Sequence, residues 1–249
     1  MALPQGPAEI PKLATAQAQL DQAKEVKKES RGTKGAARVA ALDRACDAFG
    51  AVVEHWPESG RITGEAAFRQ GEIHRTLGRP GPAAGAFLIA VEQGDGTAFA
   101  ARGQLEIGHL HRRASEFPQA LKAYSAVLGR KDADLRYRND SYEWIGKVQT
   151  ELEEWDQAAA AFRSWGDNAE GPEELVKAAD HEALALLGAG KLAAAKARVV
   201  EVQAQVEDLA GEPSKEAGKL RKALDRMKAP AAISAAEKQA AALATGDPA

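Results

Sequence analysis

The residues best suited to metal chemistry do not form a complete catalytic pattern. His109 and His111 are two positions apart, which on a helix places their side chains about 200° apart. The two rings are therefore unable to share a metal ion. His181 and Glu182 begin like the zinc-protease motif His-Glu-x-x-His, but Ala185 occupies the position of the second histidine. We predict packing roles for these histidines and no metal site.

Two glycine-rich segments each share part of a ligand-loop pattern. Residues 188–191 (Gly-Ala-Gly-Lys) resemble part of a phosphate loop, but Leu192 stands where Ser or Thr is needed and no strand precedes them. Residues 94–97 (Gly-Asp-Gly-Thr) lack the following carboxylates of a cation loop. We predict that both are turns. Cys46 is the single cysteine, which excludes an intrachain disulfide, and we expect it to be packed. No cofactor is predicted, and the chain is predicted not to be an enzyme.

Composition narrows the class of protein further. The chain has 249 residues, 45% of them apolar, and a formal net charge of −3, which argues against a general nucleic-acid partner. It has no run of 18 apolar residues, so no transmembrane segment is predicted. The first residues do not read as a signal peptide. The sequence as it stands indicates a cytoplasmic protein, or a periplasmic one if a leader was removed.

A repeat of 37 to 38 residues organises most of the chain. One column is alanine: Ala45, Ala83, Ala120, Ala158 and Ala195. A large apolar residue follows each by four positions: Phe49, Phe87, Tyr124, Phe162 and Val199. Three positions before each alanine lie Leu42, Pro80, Phe117, Trp155 and Leu192. Twelve positions before the last four alanines lie Gly71, Gly108, Gly146 and Ala183. Columns in register at this period indicate a helical repeat array.

The apolar spacing and the turn residues predict helices throughout. Two N-terminal helices are predicted at about 12–30 and 36–55. Four pairs follow: 63–77 with 81–93, 98–114 with 117–129, 140–152 with 155–165, and 172–188 with 191–209. Asp140 or Ser141 is the expected cap of the third pair. Ser214 begins a helix to about 228, and an alanine-rich helix ends the chain.

These columns resemble the tetratricopeptide repeat. Gly71, Ala83 and Phe87 match its small residue, alanine and aromatic residue, and the next two repeats match likewise. The resemblance covers about 34–210 and implies an all-α, right-handed superhelical array of antiparallel helix pairs. The other predicted segments are an extended tail at 1–11, an N-terminal helix or cap at 12–33, capping helices at 211–243 and a disordered tail at 244–249.

Two departures from the family pattern stand out. The family period is about 34 residues, so we expect the extra residues in the links at 93–96 and 129–134. Counting back twelve positions from Ala45 reaches Thr33, inside a helix break, so the first helix of that repeat is displaced or degenerate. The longer period is also similar to that of bacterial cell-envelope members of the family.

The resemblance implies that the first helices of the pairs line a concave groove. Its candidate ligand-binding residues are Phe68, Glu72, Arg75, Arg102, Leu105, His109, Arg112, Arg113, Glu143 and Lys147. The middle repeat is basic, which favours an acidic peptide. The alternative is that these residues form a solvated helix face.

The predicted function is a non-catalytic scaffold or adaptor that binds a protein or peptide in this groove. The alternative is a self-associating structural or cell-envelope assembly component. Residues 214–228 carry six basic and two acidic residues beside an apolar stripe. That helix either caps the array or docks on a partner or a membrane surface.

Overall fold

A computed structural model describes residues 10–211 and 214–245, and all regular structure in these ranges is α-helical. The helices are α1 Ala16–Lys28, α2 Gly35–His55, α3 Arg61–Thr76, α4 Pro80–Gln93, α5 Ala98–Arg113, α6 Phe117–Leu128, α7 Leu135–Glu151, α8 Trp155–Asp167, α9 Pro172–Gly188, α10 Leu192–Gly211, α11 Lys215–Asp225 and α12 Ala229–Thr245. The all-α prediction is confirmed. Most of both predicted tails, at 1–9 and 246–249, lies outside the described residues.

The chain divides into two compact units, residues 1–134 and 135–249. In the first unit, each helix from α1 to α6 packs on the next as a series of helical hairpins. Among the first helices of the hairpins, α3 also contacts α1 on one side and α5 on the other. We call the solvent-facing side of these three helices the first-helix face. It is one continuous surface because its helices touch without an intervening layer.

In the second unit, α7 to α10 also pack consecutively, and α11 and α12 both contact α9 and α10. Leu220 of α11 is buried among Val176, Val202 and Val206. Ile233 of α12 joins a separate buried cluster with Ala183 and Val199. The apolar stripe of the basic C-terminal helix therefore packs inside its own unit, against the last hairpin.

In each of the four hairpins that match the repeat pattern, a three-residue link joins the two helices. The links are 77–79, 114–116, 152–154 and 189–191. Their middle residues have positive φ: Gly78 at 70°, Ser115 at 59°, Glu153 at 59° and Gly190 at 73°. The left-handed residue turns the chain so that the N–H group after it can donate to a carbonyl in the last turn of the preceding helix. After Gly190, for example, the N–H of Lys191 donates to the carbonyl of Leu186 at 2.8 Å. The turn predicted at 188–191 is confirmed.

At each glycine of the column, the aromatic ring of the second helix lies directly against the backbone of the first. A Cβ atom on Gly71 would lie 2.6 Å from the ring of Phe87. Equivalent atoms on Gly108 and Gly146 would lie 2.5 Å from Tyr124 and 2.6 Å from Phe162. Real Cβ atoms do not approach this closely, so each aromatic ring occupies the space that a larger side chain would need. In the fourth repeat, Ala183 and Val199 lie in one buried cluster, with a smaller side chain in the aromatic column.

The first repeat has its own first helix, displaced along the chain. α1 is a regular helix that packs on α2, and Leu20 and Ala23 lie in one buried cluster with Ala45 and Phe49. The connection at 29–34 contains Thr33, the position to which the repeat period pointed. A longer link therefore moves the helix out of register without removing it.

The predicted cap of the third pair was wrong. α7 begins at Leu135, so Asp140 and Ser141 lie more than one turn inside it. Ser141 is buried and its hydroxyl donates to the carbonyl of Tyr137 at 2.9 Å, four residues earlier. Because this hydroxyl is bonded within its own helix, it is not available to cap the helix N-terminus.

We expect Gly71→Ala to lower the free energy of unfolding by up to about 2 kcal/mol. The added methyl overlaps the Phe87 ring, and overpacking costs about 1–3 kcal/mol, against about 1 kcal/mol gained in helix propensity. Gly85→Ala in α4 is the matched control, because nothing lies within 4 Å of its Cβ position. Urea unfolding should show that the control stabilises the protein. Equal stabilisation by both substitutions would contradict the packing argument.

We expect Ser115→Gly to raise the free energy of unfolding by up to about 1 kcal/mol. The native φ of 59° strains a side chain, and the left-handed conformation costs about 1–2 kcal/mol outside glycine. Ser125→Gly in the exposed part of α6 is the control and should be destabilising, because glycine weakens a helix interior. Thermal denaturation measures both, and a lower melting temperature for Ser115→Gly would refute the strain.

Candidate functional site

The predicted groove residues of α3 and α5 form a layered surface. Phe68 is only 1% exposed, and its ring packs 5.6 Å from that of Phe87 and 5.9 Å from that of Phe99, centroid to centroid. The guanidinium of Arg102 lies above Phe68, 4.1 Å from the ring centroid. Phe68 is thus a buried floor, and Arg102 is the group that a ligand would meet.

Ion pairs connect the three helices of the first-helix face. Glu72 of α3 lies 3.0 Å from Arg69, 3.7 Å from Arg102 of α5 and 3.8 Å from Lys27 of α1. Glu65 lies 3.0 Å from Lys24 of α1. These half-exposed pairs each contribute little to stability. Their consequence is that Arg102 is held both by an aromatic ring and by a carboxylate.

Further along this face, the structure separates the predicted residues by environment. Arg75 forms an ion pair with Glu106 of the neighbouring helix. Leu105 is 5% exposed and belongs to the core. Arg113 is exposed at the last position of α5, and no ion pair joins it to any of the residues that the structure describes.

His109 and Arg112 both interact with Tyr124, the aromatic residue of their own repeat. The Nδ1 atom of His109 lies 2.7 Å from the Tyr124 hydroxyl. Burial raises the pKa of Tyr124, and a hydrogen bond with Arg112 opposes that rise. The basic cluster of the middle repeat is therefore partly structural. Arg113 and Arg102 remain as its outward-facing cations.

The last two predicted residues belong to the second compact unit. Lys147 of α7 pairs with Glu143, and its ammonium lies 4.5 Å from the ring centroid of Trp144. Nearby, His181 stacks on Phe162 with centroids 5.0 Å apart. Burial lowers the pKa of His181, and the charge of Lys147 lowers it further.

The other residues considered for chemistry are packed or paired. Cys46 is buried with its Sγ atom 3.3 Å from Nε2 of His74, and burial raises its thiol pKa to about 11. The thiol is therefore protonated at neutral pH and a poor nucleophile. Glu182 pairs with Arg198 at 2.7 Å and with Arg163 at 2.8 Å.

Neither a metal cluster nor a membrane-spanning helix occurs in the described part of the chain. Among the described residues, no three His, Cys, Asp or Glu side chains come together as metal ligands. No helix in the same part of the chain is both long and apolar enough to cross a membrane.

Three cations on this surface were not predicted from the sequence. Arg69 bridges Glu65 and Glu72, but it lies outside the groove positions that the family resemblance implied. Lys24 and Lys27 belong to α1, the predicted N-terminal helix or cap, for which no binding role was predicted. Their signal was present as a basic stripe of helical spacing at positions 24, 27, 28 and 31.

Comparisons with known proteins find similar folds among solved structures. No protein-family model matches the chain, and no curated protein matches its sequence. Among solved structures, a crystal structure of MamA protein matches with a TM-score of 0.59 and 17% identity, over 80% of this chain and 97% of the other. BtubC from P. vanneervenii matches with a TM-score of 0.57 and 13% identity, over 82% and 95%. Part of a TPR repeat-containing protein from Cytophaga hutchinsonii matches with a TM-score of 0.52 and 13% identity, over 85% and 80%.

These likenesses agree with the repeat columns and the hairpin geometry. The chain has the tetratricopeptide-like helical-repeat fold.

We expect the stability contributed by His181 to fall as the pH falls below about 6.5. An unfolded histidine titrates near pH 6.5, and the folded pKa is lower, so the unfolded state binds more protons across this interval. Urea unfolding of the wild type and of His181→Phe from pH 8 to pH 5 isolates the effect, since phenylalanine keeps the stacking on Phe162. The free energy of unfolding of the wild type minus that of His181→Phe should decrease as the pH falls. A difference that stays constant with pH would contradict the assignment.

Proposed function

We propose that this tetratricopeptide-like chain is a non-catalytic scaffold that binds an acidic protein segment or peptide on the first-helix face. The observation that carries the proposal is the placement of Arg102 above Phe68 and beside Glu72, at 4.1 Å and 3.7 Å. An arginine held by a ring and a carboxylate loses little side-chain entropy on binding. Its remaining N–H donors suit a carboxylate of a partner.

Arg113 extends this contact surface along α5. It lies eleven residues after Arg102, about three helical turns, so both side chains emerge on the same side of the helix. Two cations on one helix face match an extended segment with spaced acidic residues. Arg75 and Glu72 contribute polar contacts between the two positions.

The residues that most resemble catalytic groups support a scaffold role by their environments. The Cys46 thiol is kept protonated by burial. His109 is bonded to Tyr124, and Glu182 is paired with two arginines. These contacts support packing roles for the three groups. Glu143 and Lys147, in the second unit, are proposed as a separate contact.

We expect removal of the two outward-facing cations to weaken partner binding at least about tenfold, because each charge-assisted hydrogen bond contributes about 1.5–3 kcal/mol. The test variant is Arg102→Gln with Arg113→Gln. The matched control is Lys122→Gln with Lys131→Gln, which removes two exposed positive charges elsewhere in the same unit. Affinity capture from native lysate identifies candidates, and titration of a purified partner gives its Kd for all three proteins.

Equal loss of affinity in both variants would indicate a general charge effect and contradict the assigned face. Binding unchanged in the test variant would contradict it as well. Self-association or a role in envelope assembly is the competing proposal. Self-association requires the mass of the purified chain in light scattering to rise with concentration, while the scaffold proposal expects a constant monomer mass.

A further inference from the structure

A cavity of about 360 Å³ opens beside the first-helix face, where the end of α1 meets α3. Its lining is strongly basic and includes Lys24, Lys27, Lys28, Arg31 and Arg69. The buried ring of Phe49 also contributes to its wall. Five cations around one opening are unusual for a chain with a net charge of −3.

Ordinary helix chemistry explains only part of this lining. Lys27 and Lys28 lie in the last turn of α1, where cations favourably oppose the helix dipole. Arg31 lies beyond the end of that helix, and Arg69 comes from α3. Their convergence with the lysines needs the α1–α2 link and the packing of α1 on α3. The cavity is therefore a product of the tertiary fold.

The carboxylates around the cavity do not balance its cations. Glu25 pairs with Lys28, Glu65 with Lys24, and Glu72 with Arg69. Glu72 lies farther from Lys27, at 3.8 Å, and is also shared with Arg102.

Two of the five cations are left without a carboxylate of their own. Lys27 has only its distant share of Glu72. Arg31 is exposed and has no ion pair within the described residues. Burial lowers the pKa of Lys27; the charge of Glu72 opposes this shift, and the charges of Arg69 and Arg31 add to it. The positive charges exceed their carboxylate partners by two.

We propose that this cavity binds a phosphate monoester, held mainly by Lys27, Arg31 and Arg69. A phosphate monoester carries about −1.5 to −2 charges at neutral pH, which matches the local excess. A single carboxylate would leave part of that excess unbalanced. The guanidinium groups offer paired N–H donors to phosphate oxygens, and the ammonium adds a point charge. The cavity opens to solvent, which leaves room for the rest of the ester. This site does not depend on the contacts proposed for Arg102 and Arg113.

The experiment is a titration of the protein with phosphate probes at low ionic strength. Binding is measured by calorimetry and by backbone amide NMR. The probes are inorganic phosphate, the capped tripeptide Gly-phosphoserine-Gly and its unphosphorylated form. We expect a phosphate-bearing probe to bind with one-to-one stoichiometry and to shift amides near residues 24–31 and 69. The unphosphorylated peptide should not bind.

The test variant is Lys27→Gln with Arg31→Gln, and Lys122→Gln with Lys131→Gln is the matched control. We expect at least about tenfold weaker binding in the test variant and unchanged binding in the control. Arg31→Gln alone, at an exposed position, keeps the test valid if the double variant unfolds. The proposal is overturned if neither phosphate-bearing probe binds, or if the control and test variants lose affinity equally.

The two phosphate-bearing probes also distinguish the source of the ligand. Phosphopeptide binding at least about tenfold tighter than that of inorganic phosphate would support a phosphorylated side chain of a protein. Equal affinities would support a small phosphate-bearing molecule. Arg113→Gln alone removes a proposed groove contact that has no ion pair with the described cavity residues, so this variant should bind both probes normally. Failure of the groove proposal and failure of this one are therefore separate results.

Discussion

The contact between a glycine and an aromatic ring sets the geometry on which each matching hairpin depends. Where Phe87 lies against Gly71, the two helices approach until a single added carbon would overlap the ring. The same helix, α3, also contacts α1 and α5 in the first unit, and its Glu72 reaches cations on both. One face of α3 therefore carries the packing contact and another carries the surface ion pairs.

Much of the fold could be predicted from the sequence because this contact repeats in register. Glycine, alanine and an aromatic residue recur where two helices must approach, and the left-handed links follow at fixed distances. The start of α7 could not be predicted. Asp140 and Ser141 have the chemistry of caps, but the helix continues through them and Ser141 bonds inside it. The position of α1 could not be predicted from the repeat period either, because its link to α2 is longer than the links within the other hairpins.

The candidate site was predictable only in outline. Spacing and family resemblance indicated Arg102 and Arg113, yet they did not show that Phe68 and Leu105 are core residues. Nor did they show that His109 bonds to Tyr124, since that contact depends on the angle between two helices. The basic cavity combines residues from α1, its link and α3. Four of its five cations form one stripe in the sequence, but their meeting with Arg69 follows from tertiary packing.

The most direct test of the central constraint is a double-mutant cycle between Gly71 and Phe87. Gly71→Ala, Phe87→Val and the double variant reproduce in this repeat the alanine and valine that the fourth repeat already uses at Ala183 and Val199. If the ring and the glycine share one space, the smaller valine relieves the overlap. Urea unfolding should then give a favourable coupling free energy within about 0.5–3 kcal/mol. Additive effects of the two substitutions would contradict the account.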